Sequence, residues 1–289
     1  MPTSLKSYCS RTYKRNYATE YKLSLGKKTS KTAKEEAEKN AQKLAIKRTF
    51  ELALIKYPNV EPYEIWDEIY IAYVLRKSKI KSTTINADLI QNIVASHQSW
   101  VKSSGHAFEA YIEEQANPEF SKNNTNIRFI LQKELSASLK DQKIHNSKND
   151  CIWLKKQCNK DVFDLFAIYT VNGDDYVFGC IQSKTSIRDR VSRDREPSQG
   201  AMKKGFWSIA VTLNGSFLTL PKFQEMVNGG GDTYKENGWH GMYVMYDNCV
   251  CDRIYSIQHD FSCLTDHAVL AAHEWISNRK EIKVDWKVD

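Results

Sequence analysis

The chain has 289 residues, of which 41% are hydrophobic and 27% charged, and its formal net charge is +7. These values are ordinary for a soluble globular protein. No apolar run approaches the roughly 20 residues needed to span a bilayer, and the polar N-terminus lacks the apolar segment of a secretory signal. We therefore expect an intracellular, soluble protein that does not bind a membrane.

Cysteine usage argues against structural cross-links. The seven cysteines are odd in number, and none of them lies in a Cys-x-x-Cys pair. A complete disulfide framework is therefore impossible, and the paired spacing of a structural zinc site is missing. Free buried thiols are the expected state.

Positive charge is concentrated at the N-terminus. Residues 1–49 contain 13 lysines and arginines against 4 acidic residues, whereas the rest of the chain contains 29 against 31. Such a concentrated excess favours a polyanionic partner, because basic side chains displace counterions from phosphates. A solvated helix with a basic face is the alternative interpretation.

The first hundred residues have mainly helical patterns. Tyr8, Tyr13, Tyr17 and Tyr21 place about one tyrosine on each helical turn, which favours a stripe packed on the protein over a surface that stacks with bases. Helical composition runs over 32–57 and stops before Pro58. Apolar periodicity continues over 62–76 and 86–100, with a polar linker between them. These patterns predict a helical, basic N-terminal region over residues 1–100.

The pattern changes after about Pro118, where β-forming residues become dense. An Asn172-Gly173 pair between two apolar runs is a strong signal for a β-hairpin. A helix is expected over 265–279. The sequence thus predicts an α/β fold over 101–289, continuous with the first region or separate from it, with strands at 127–131, 164–169, 176–181, 207–213, 241–246 and 253–257.

The hairpin brings together three polar side chains. Asp164 opens its first strand, whereas Gln182 and Lys184 close its second strand. Residues two apart on a strand point to the same face, so Gln182 and Lys184 project together. In an antiparallel hairpin the start of one strand lies beside the end of the other. We therefore expect a carboxylate, an amide and an ammonium group to converge at one edge of the sheet.

Phosphodiester cleavage needs this combination of groups. A hard divalent cation takes oxygen ligands, retains water and neutralises charge on the phosphate. A nearby lysine can orient or deprotonate the attacking water. The hairpin therefore indicates a metal-dependent nuclease site.

At this point the sequence resembles a known family. The arrangement of Asp164, Gln182 and Lys184 is similar to the PD-(D/E)xK nuclease motif, and the following KTSIRDR resembles the same stretch in several type II restriction endonucleases. The upstream SSGHAFEAYIEE segment is similar to the family's upstream helix, with Ser103 or Ser104 expected as its cap and Glu109 as a supporting carboxylate. The resemblance covers roughly residues 100–213 and does not extend into the N-terminal helices.

One position departs from the family pattern. Gln182 stands where the family usually has an acidic residue, and its amide oxygen adds no negative charge. The resemblance implies metal ligands from Asp164, Gln182, the main-chain carbonyl of Ser183 and Glu109, the last through water. Asp161, nearer the loop, is the alternative to Asp164.

The segment after Lys184 is rich in arginine and hydroxyl side chains. Arginine suits phosphates and guanine edges, and hydroxyls suit phosphate oxygens. Residues 184–190 are expected to contact the DNA backbone, and Arg193 or Arg195 to read bases; a solvated charged helix is the alternative. The predicted DNA-binding residues are Thr185, Ser186, Arg188, Arg190, Arg193, Arg195, Lys203 and Lys204.

The resemblance implies a restriction-endonuclease-like mixed central sheet flanked by helices. It further implies a type II restriction endonuclease that uses Mg²⁺, with Mn²⁺ as a substitute, to cleave double-stranded DNA and leave 5′-phosphate ends. A homodimer in the cytoplasm of a prokaryotic cell is expected, because two-fold symmetry matches a palindromic site.

Two rival functions stay open at this stage. One is a repair or recombination nuclease that reads DNA structure, and the other is a non-catalytic DNA-binding module in which Gln182 marks a decayed site. No nucleotide cofactor is expected, because the glycines at 229–231 are not followed by the Lys-Ser/Thr of a phosphate-binding loop.

Overall fold

In this computed structural model, residues 4–78, 87–185, 191–246, 251–257 and 260–288 are described. The chain divides into two compact units, Met1–Ala110 and Tyr111–Asp289, with the division inside a long helix. Within the described ranges, no helix combines the length and the apolar composition needed to cross a bilayer. The cysteines in these ranges are free thiols.

The first unit is built from helices. Ser4 and Ser30 cap the first two helices, because each side chain accepts a hydrogen bond from the main-chain N–H three residues later. Pro62 occupies the first turn of the third helix, where its missing N–H costs nothing. The elements are α1 (Leu5–Leu25), α2 (Lys31–Lys56), α3 (Pro62–Lys77) and the first part of α4 (Ala87–Lys122).

The tyrosine stripe of α1 packs inside this unit. Tyr13 is fully buried, and its ring lies 6.1 Å from that of Tyr73 on α3. The guanidinium carbon of Arg76 lies 3.7 Å from the ring centroid of Tyr17, which in turn stacks on Tyr21. The packing interpretation of the stripe is therefore confirmed, with a cation–π contact at its centre.

The predicted helix boundary near Ser103 and Ser104 is wrong. Both serines lie inside α4, which runs unbroken through Pro118 to Lys122. Ser103 donates its hydroxyl to the Gln42 side chain, and the Ser104 hydroxyl bonds back to Val101 on its own helix. A serine caps a helix only where the chain leaves the helical conformation, and no residue near 103 forces such a break.

The second unit contains a mixed six-stranded sheet. Its strand order follows the sequence, from the first strand to the sixth. The first three strands pair antiparallel, and the pairs from the third strand to the sixth are parallel. The predicted mixed sheet is confirmed, and the strands are β1 (Ile127–Leu131), β2 (Leu165–Val171), β3 (Asp174–Lys184), β4 (Trp207–Thr212), β5 (Gly241–Val244) and β6 (Ile254–Ser256).

Helices cover both faces of this sheet. On one face, Leu154 packs in a core with Phe166 and Cys180, and Met226 packs in a second core with Ala210. On the other face, the ring of Trp207 stacks on Phe178, and Phe178 and Tyr243 contact Trp275 and His267 of the last helix. The helices are α5 (Gln132–Lys140), α6 (Lys148–Asn159), α7 (Val191–Met202), α8 (Pro221–Asn228) and α9 (Ser262–Ser277), with a 3-10 turn at Ser216–Thr219.

The β2–β3 hairpin sets the geometry of the candidate site. Its turn consists of Asn172 and Gly173, with φ values of 52° and 89°, the positive values that a two-residue hairpin turn of type I′ requires. The pairing places Leu165 opposite Ile181. Asp164, one residue before β2, therefore lies beside the end of β3.

Candidate active site

The carboxylate of Asp164 is held at the end of the hairpin. Its main-chain N–H donates to the carbonyl of Ile181 at 3.0 Å, and its carbonyl accepts from the N–H of Gln132 at 3.0 Å. Its Oδ2 accepts hydrogen bonds from the Ser183 N–H at 2.7 Å and from the Lys184 Nζ at 3.2 Å. The backbone thus fixes where this carboxylate points.

Asp164 and Lys184 form an ion pair that solvent still reaches. Each side chain retains 20% of its exposure. Burial to this degree strengthens the attraction beyond that of a surface pair, and the remaining exposure leaves both side chains within reach of solvent. The structure therefore brings together two of the three hairpin residues singled out in the sequence.

Gln182 is placed differently from its two neighbours. Its residue is 1% exposed, and its Oε1 accepts a 2.8 Å hydrogen bond from the indole N–H of Trp239. Its Nε2 donates to the main-chain carbonyl of Asp194 on α7 at 3.0 Å. Both ends of the amide are engaged by protein, so Gln182 links β3 to α7 and to the segment before β5.

The groups available for a metal ion are oxygens of Asp164 and Ser183. The N–H and C=O of a strand residue point to the same side, so the Ser183 carbonyl faces the side on which its N–H meets Asp164. One carboxylate, one carbonyl and water fit a hard divalent cation such as Mg²⁺, which keeps several waters in proteins. Over the part of the chain that the structure describes, no group of three His, Cys, Asp or Glu side chains could hold a metal ion.

Asp161 has a different hydrogen-bond partner from Asp164. It is exposed, has a positive φ of 49°, and accepts a 2.8 Å hydrogen bond from the Gln132 side chain. Of the two candidate aspartates, Asp164 is therefore the one that meets Lys184.

Glu109 lies on α4 within the first unit. Its carboxylate is 3.1 Å from the Nδ1 of His106, one turn earlier on the helix. This hydrogen bond raises the pKa of His106, and the nearby Lys102 and Lys43 oppose that increase. Glu109 therefore has a basic, partly exposed neighbour in its own unit.

The predicted DNA-contacting residues include some that the structure describes and some that it does not. Thr185 is half-buried at the end of β3, and Arg193, Lys203 and Lys204 are exposed on α7 or just after it. These exposed side chains are free to meet a phosphate. The predicted Ser186, Arg188 and Arg190 lie outside the described residues.

Arg195 makes contacts that the sequence does not indicate. Its Nε donates to the carbonyl of Met226 at 3.1 Å, and its second terminal nitrogen donates to the carbonyl of Glu236. The guanidinium also lies 5.0 Å from the ring centroid of Tyr234. Arg195 therefore holds the loop between α8 and β5 against α7.

The residues that sequence reasoning misses are the partners of Gln182 and Arg195. Trp239 is fully buried, and a buried indole N–H requires an acceptor, which Gln182 supplies. A tryptophan two residues before a buried strand is a signal that some acceptor exists. The sequence around Trp239 and around Gln182 does not indicate that the two residues are partners.

Comparison with known proteins gives the family. The sequence profile described as BsaWI restriction endonuclease type 2 matches residues 139–281. A solved structure, the crystal structure of the pre-specific restriction endonuclease BsaWI–DNA complex, contains a chain 41% identical to this one, with 99% of each chain covered and a TM-score of 0.67. The chain belongs to the BsaWI restriction endonuclease family. The resemblance to type II restriction endonucleases is thereby confirmed, and the family implies a divalent metal cofactor.

Two further comparisons involve the enzyme AgeI. The type II restriction enzyme AgeI of Thalassovita gelatinovora is 24% identical over 189 residues, which is 64% of this chain. That match spans 60% of the AgeI sequence, less than two thirds of its length. The crystal structure of the specific restriction endonuclease AgeI–DNA complex is 18% identical, covers 90% of this chain and 91% of that one, and has a TM-score of 0.55, which supports the shared fold.

Proposed function

We propose that this member of the BsaWI family is a type II restriction endonuclease that cleaves double-stranded DNA at a specific sequence with Mg²⁺. The observation that carries the proposal is the Asp164–Lys184 pair, fixed at the end of the central hairpin. The relatives that support it are described as restriction endonucleases, and two of them as complexes with DNA.

In this proposal Asp164 and the Ser183 carbonyl hold Mg²⁺. When bound, the ion supplies Lewis acidity at the scissile phosphate and lowers the pKa of water. The Ser183 N–H orients the Asp164 carboxylate, so that little reorganisation is needed to receive a cation. Mn²⁺ substitutes for Mg²⁺.

Lys184 is the residue that acts on the attacking water. Its ammonium group now pairs with Asp164 at 3.2 Å and keeps 20% exposure, so it lies at the edge of the site where water reaches it. With Mg²⁺ held by Asp164, the Lys184 ammonium group would donate a hydrogen bond to the attacking water and so orient it toward the phosphate.

In this proposal Gln182 has a structural role and is not a metal ligand. A direct metal bond through Oε1 would compete with the buried Trp239 N–H for this oxygen, and losing that hydrogen bond costs about 1–3 kcal/mol. Its role is to hold the start of α7 close to β3 through the carbonyl of Asp194. The exposed Arg193, Lys203 and Lys204, together with Thr185, then contact DNA.

The biological setting follows from the same proposal. The products carry 5′-phosphate ends, and a homodimer matches a palindromic site through shared two-fold symmetry. Such an enzyme acts on incoming DNA in the cytoplasm of a prokaryotic cell.

The test is digestion of a plasmid of known sequence with Mg²⁺, followed by sequencing of the ends. We expect discrete fragments with one common sequence at the cuts. Lys184→Ala should remove cleavage, whereas the control Lys203→Ala, which removes one exposed lysine outside the ion pair, should change binding alone. Fragments without a common sequence would favour a structure-reading nuclease. Specific binding without cleavage at every Mg²⁺ and Mn²⁺ concentration would favour a non-catalytic module.

A further inference from the structure

The first unit contains a cavity lined mainly by polar residues, with a water-accessible volume of about 570 Å³. It lies between the end of α1, one face of α2 and one face of α4. On α4 the lining residues Ser99, Lys102, Ser103 and His106 follow the three- and four-residue spacing of one helix face. Two helix faces and a turn thus enclose a site far from the β2–β3 hairpin in sequence.

Positive charge dominates the lining. Of the described residues that line the cavity, four are lysines and one, Glu36, is acidic; the lysines are Lys28, Lys39, Lys43 and Lys102. Lys43 is half-buried, whereas the other three are exposed and reach the cavity from its rim. Lysines that share a concave wall create a field that concentrates anions.

A separate observation concerns two of these lysines, which lie on different helices. Lys43 on α2 and Lys102 on α4 both act on the pKa of His106, which they push downward against the opposing effect of Glu109. Ammonium groups from two different helices therefore both act on His106, a residue of the cavity wall. A bound anion would balance their positive charge.

The floor of the cavity is preorganised by hydrogen bonds. Gln42 is 3% exposed, and its Oε1 accepts from the hydroxyls of Ser103 and Tyr73. Asn40 donates to the hydroxyl of Ser24 at 2.8 Å, which ties α2 to the end of α1. These bonds fix amide and hydroxyl groups beside the lysines, as suits an oxygen-rich ligand.

We propose that this cavity binds phosphate groups, and that their source is the DNA backbone outside the cleaved sequence. The assignment of the source to DNA rests on the proposed function. The chemistry of the wall, four ammonium groups with hydroxyls and amides, suits oxygens that each carry partial negative charge and imposes no base preference. A volume of about 570 Å³ exceeds one phosphate and accommodates neighbouring phosphates of one strand.

The experiment compares two double variants of the full chain that remove the same charge. Lys43→Ala/Lys102→Ala removes two of the four lysines that line the cavity, whereas Lys14→Ala/Lys34→Ala removes two exposed lysines of α1 and α2 that do not line it. Lys43→Arg/Lys102→Arg keeps the charge. Binding to a long duplex that carries the mapped cleavage site is measured against salt concentration.

We expect the cavity variant to reduce the slope of log binding constant against log salt concentration by about 0.9 for each phosphate that it no longer neutralises. The Lys14/Lys34 control should keep a slope nearer that of the parent. The arginine variant should have the slope of the parent. The probe for the other source is inorganic tripolyphosphate, titrated calorimetrically without DNA. Tripolyphosphate binding that only the cavity variant loses, with unchanged DNA slopes, would assign the site to a free phosphate compound instead.

Equal behaviour of the cavity variant and the Lys14/Lys34 control in both assays would overturn the proposal. Cleavage by the parent is measured in the same preparations. If the parent cleaves DNA and the cavity variant behaves as the control, only the proposal of phosphate binding in the cavity is refuted. If the parent does not cleave DNA, the proposed function is refuted. The tripolyphosphate titration then still shows whether the cavity binds phosphate.

Discussion

The Nζ of Lys184 lies 3.2 Å from Oδ2 of Asp164, and the same oxygen accepts a 2.7 Å hydrogen bond from the Ser183 N–H. Two consecutive residues of β3 therefore act on one carboxylate: the strand backbone orients it, and the side chain that follows balances its charge. Because the carboxylate precedes β2 and the lysine ends β3, the register of the hairpin decides whether they meet.

Asp164→Asn should lower the cleavage rate by about 10³-fold or more, because a metal ion supplies several kcal/mol of charge stabilisation and the amide no longer attracts it. Specific binding in Ca²⁺ should remain measurable. The matched control is Asp161→Asn, which alters the exposed aspartate bonded to Gln132. Single-turnover cleavage rates of both variants decide; normal turnover of Asp164→Asn with loss in Asp161→Asn would reverse the assignment.

Local sequence patterns are enough to predict the strands and their meeting point. The Asn172-Gly173 turn specifies the hairpin, and the apolar runs on either side of it specify its register. From these two features alone Asp164 is expected beside Lys184, and the structure places them together. Patterns of this kind work because turn chemistry and burial act over a few residues.

Contacts between residues that are far apart in the sequence cannot be predicted from local patterns. Gln182 meets Trp239, and Arg195 meets carbonyls of the loop between α8 and β5, contacts that depend on how packed elements close on each other. The same limit explains Ser103. Its hydroxyl is expected from the sequence to cap a helix, whereas its partner is Gln42 on α2.

Gln182→Glu should destabilise the protein by about 1–3 kcal/mol. The new carboxylate keeps an acceptor for Trp239, but it meets the carbonyl of Asp194 with no donor between them. Urea unfolding measures the decrease, and a Mg²⁺ titration of cleavage is run beside it. Unchanged stability together with a lower Mg²⁺ requirement would instead make residue 182 a direct metal ligand.

Variants of Arg195 and Arg193 should distinguish a residue that stabilises the fold from a residue that contacts DNA. Arg195→Ala removes donors to two main-chain carbonyls, so the free energy of unfolding should fall by about 1–3 kcal/mol. Arg193→Ala alters an exposed side chain and should leave stability within about 0.5 kcal/mol while weakening DNA binding. Urea unfolding and binding in Ca²⁺ are measured for both. A stable Arg195→Ala with impaired specificity would return Arg195 to the role of a base reader.

His240 should make the stability of the protein depend on pH. Its ring is buried, accepts from the Ser208 N–H at Nδ1 and lies 2.9 Å from the Lys283 carbonyl through Nε2, so the neutral form is held. Burial is the largest cause that lowers the pKa of His240 from 6.5 to about 4; Arg253 adds to the decrease, whereas Asp285 and the carbonyl of Lys283 oppose it.

Because the unfolded chain binds this proton more readily, stability is unaffected by His240 above pH 6.5 and falls as the pH drops from about 6.5 to about 4. The decrease amounts to about 3 kcal/mol, at 1.36 kcal/mol for each pKa unit. Urea unfolding across this range should show the slope in the parent and in the control His273→Gln, whose side chain is exposed. His240→Gln keeps one acceptor and one donor but binds no proton, so its slope should flatten; an unchanged slope would place the titrating group elsewhere.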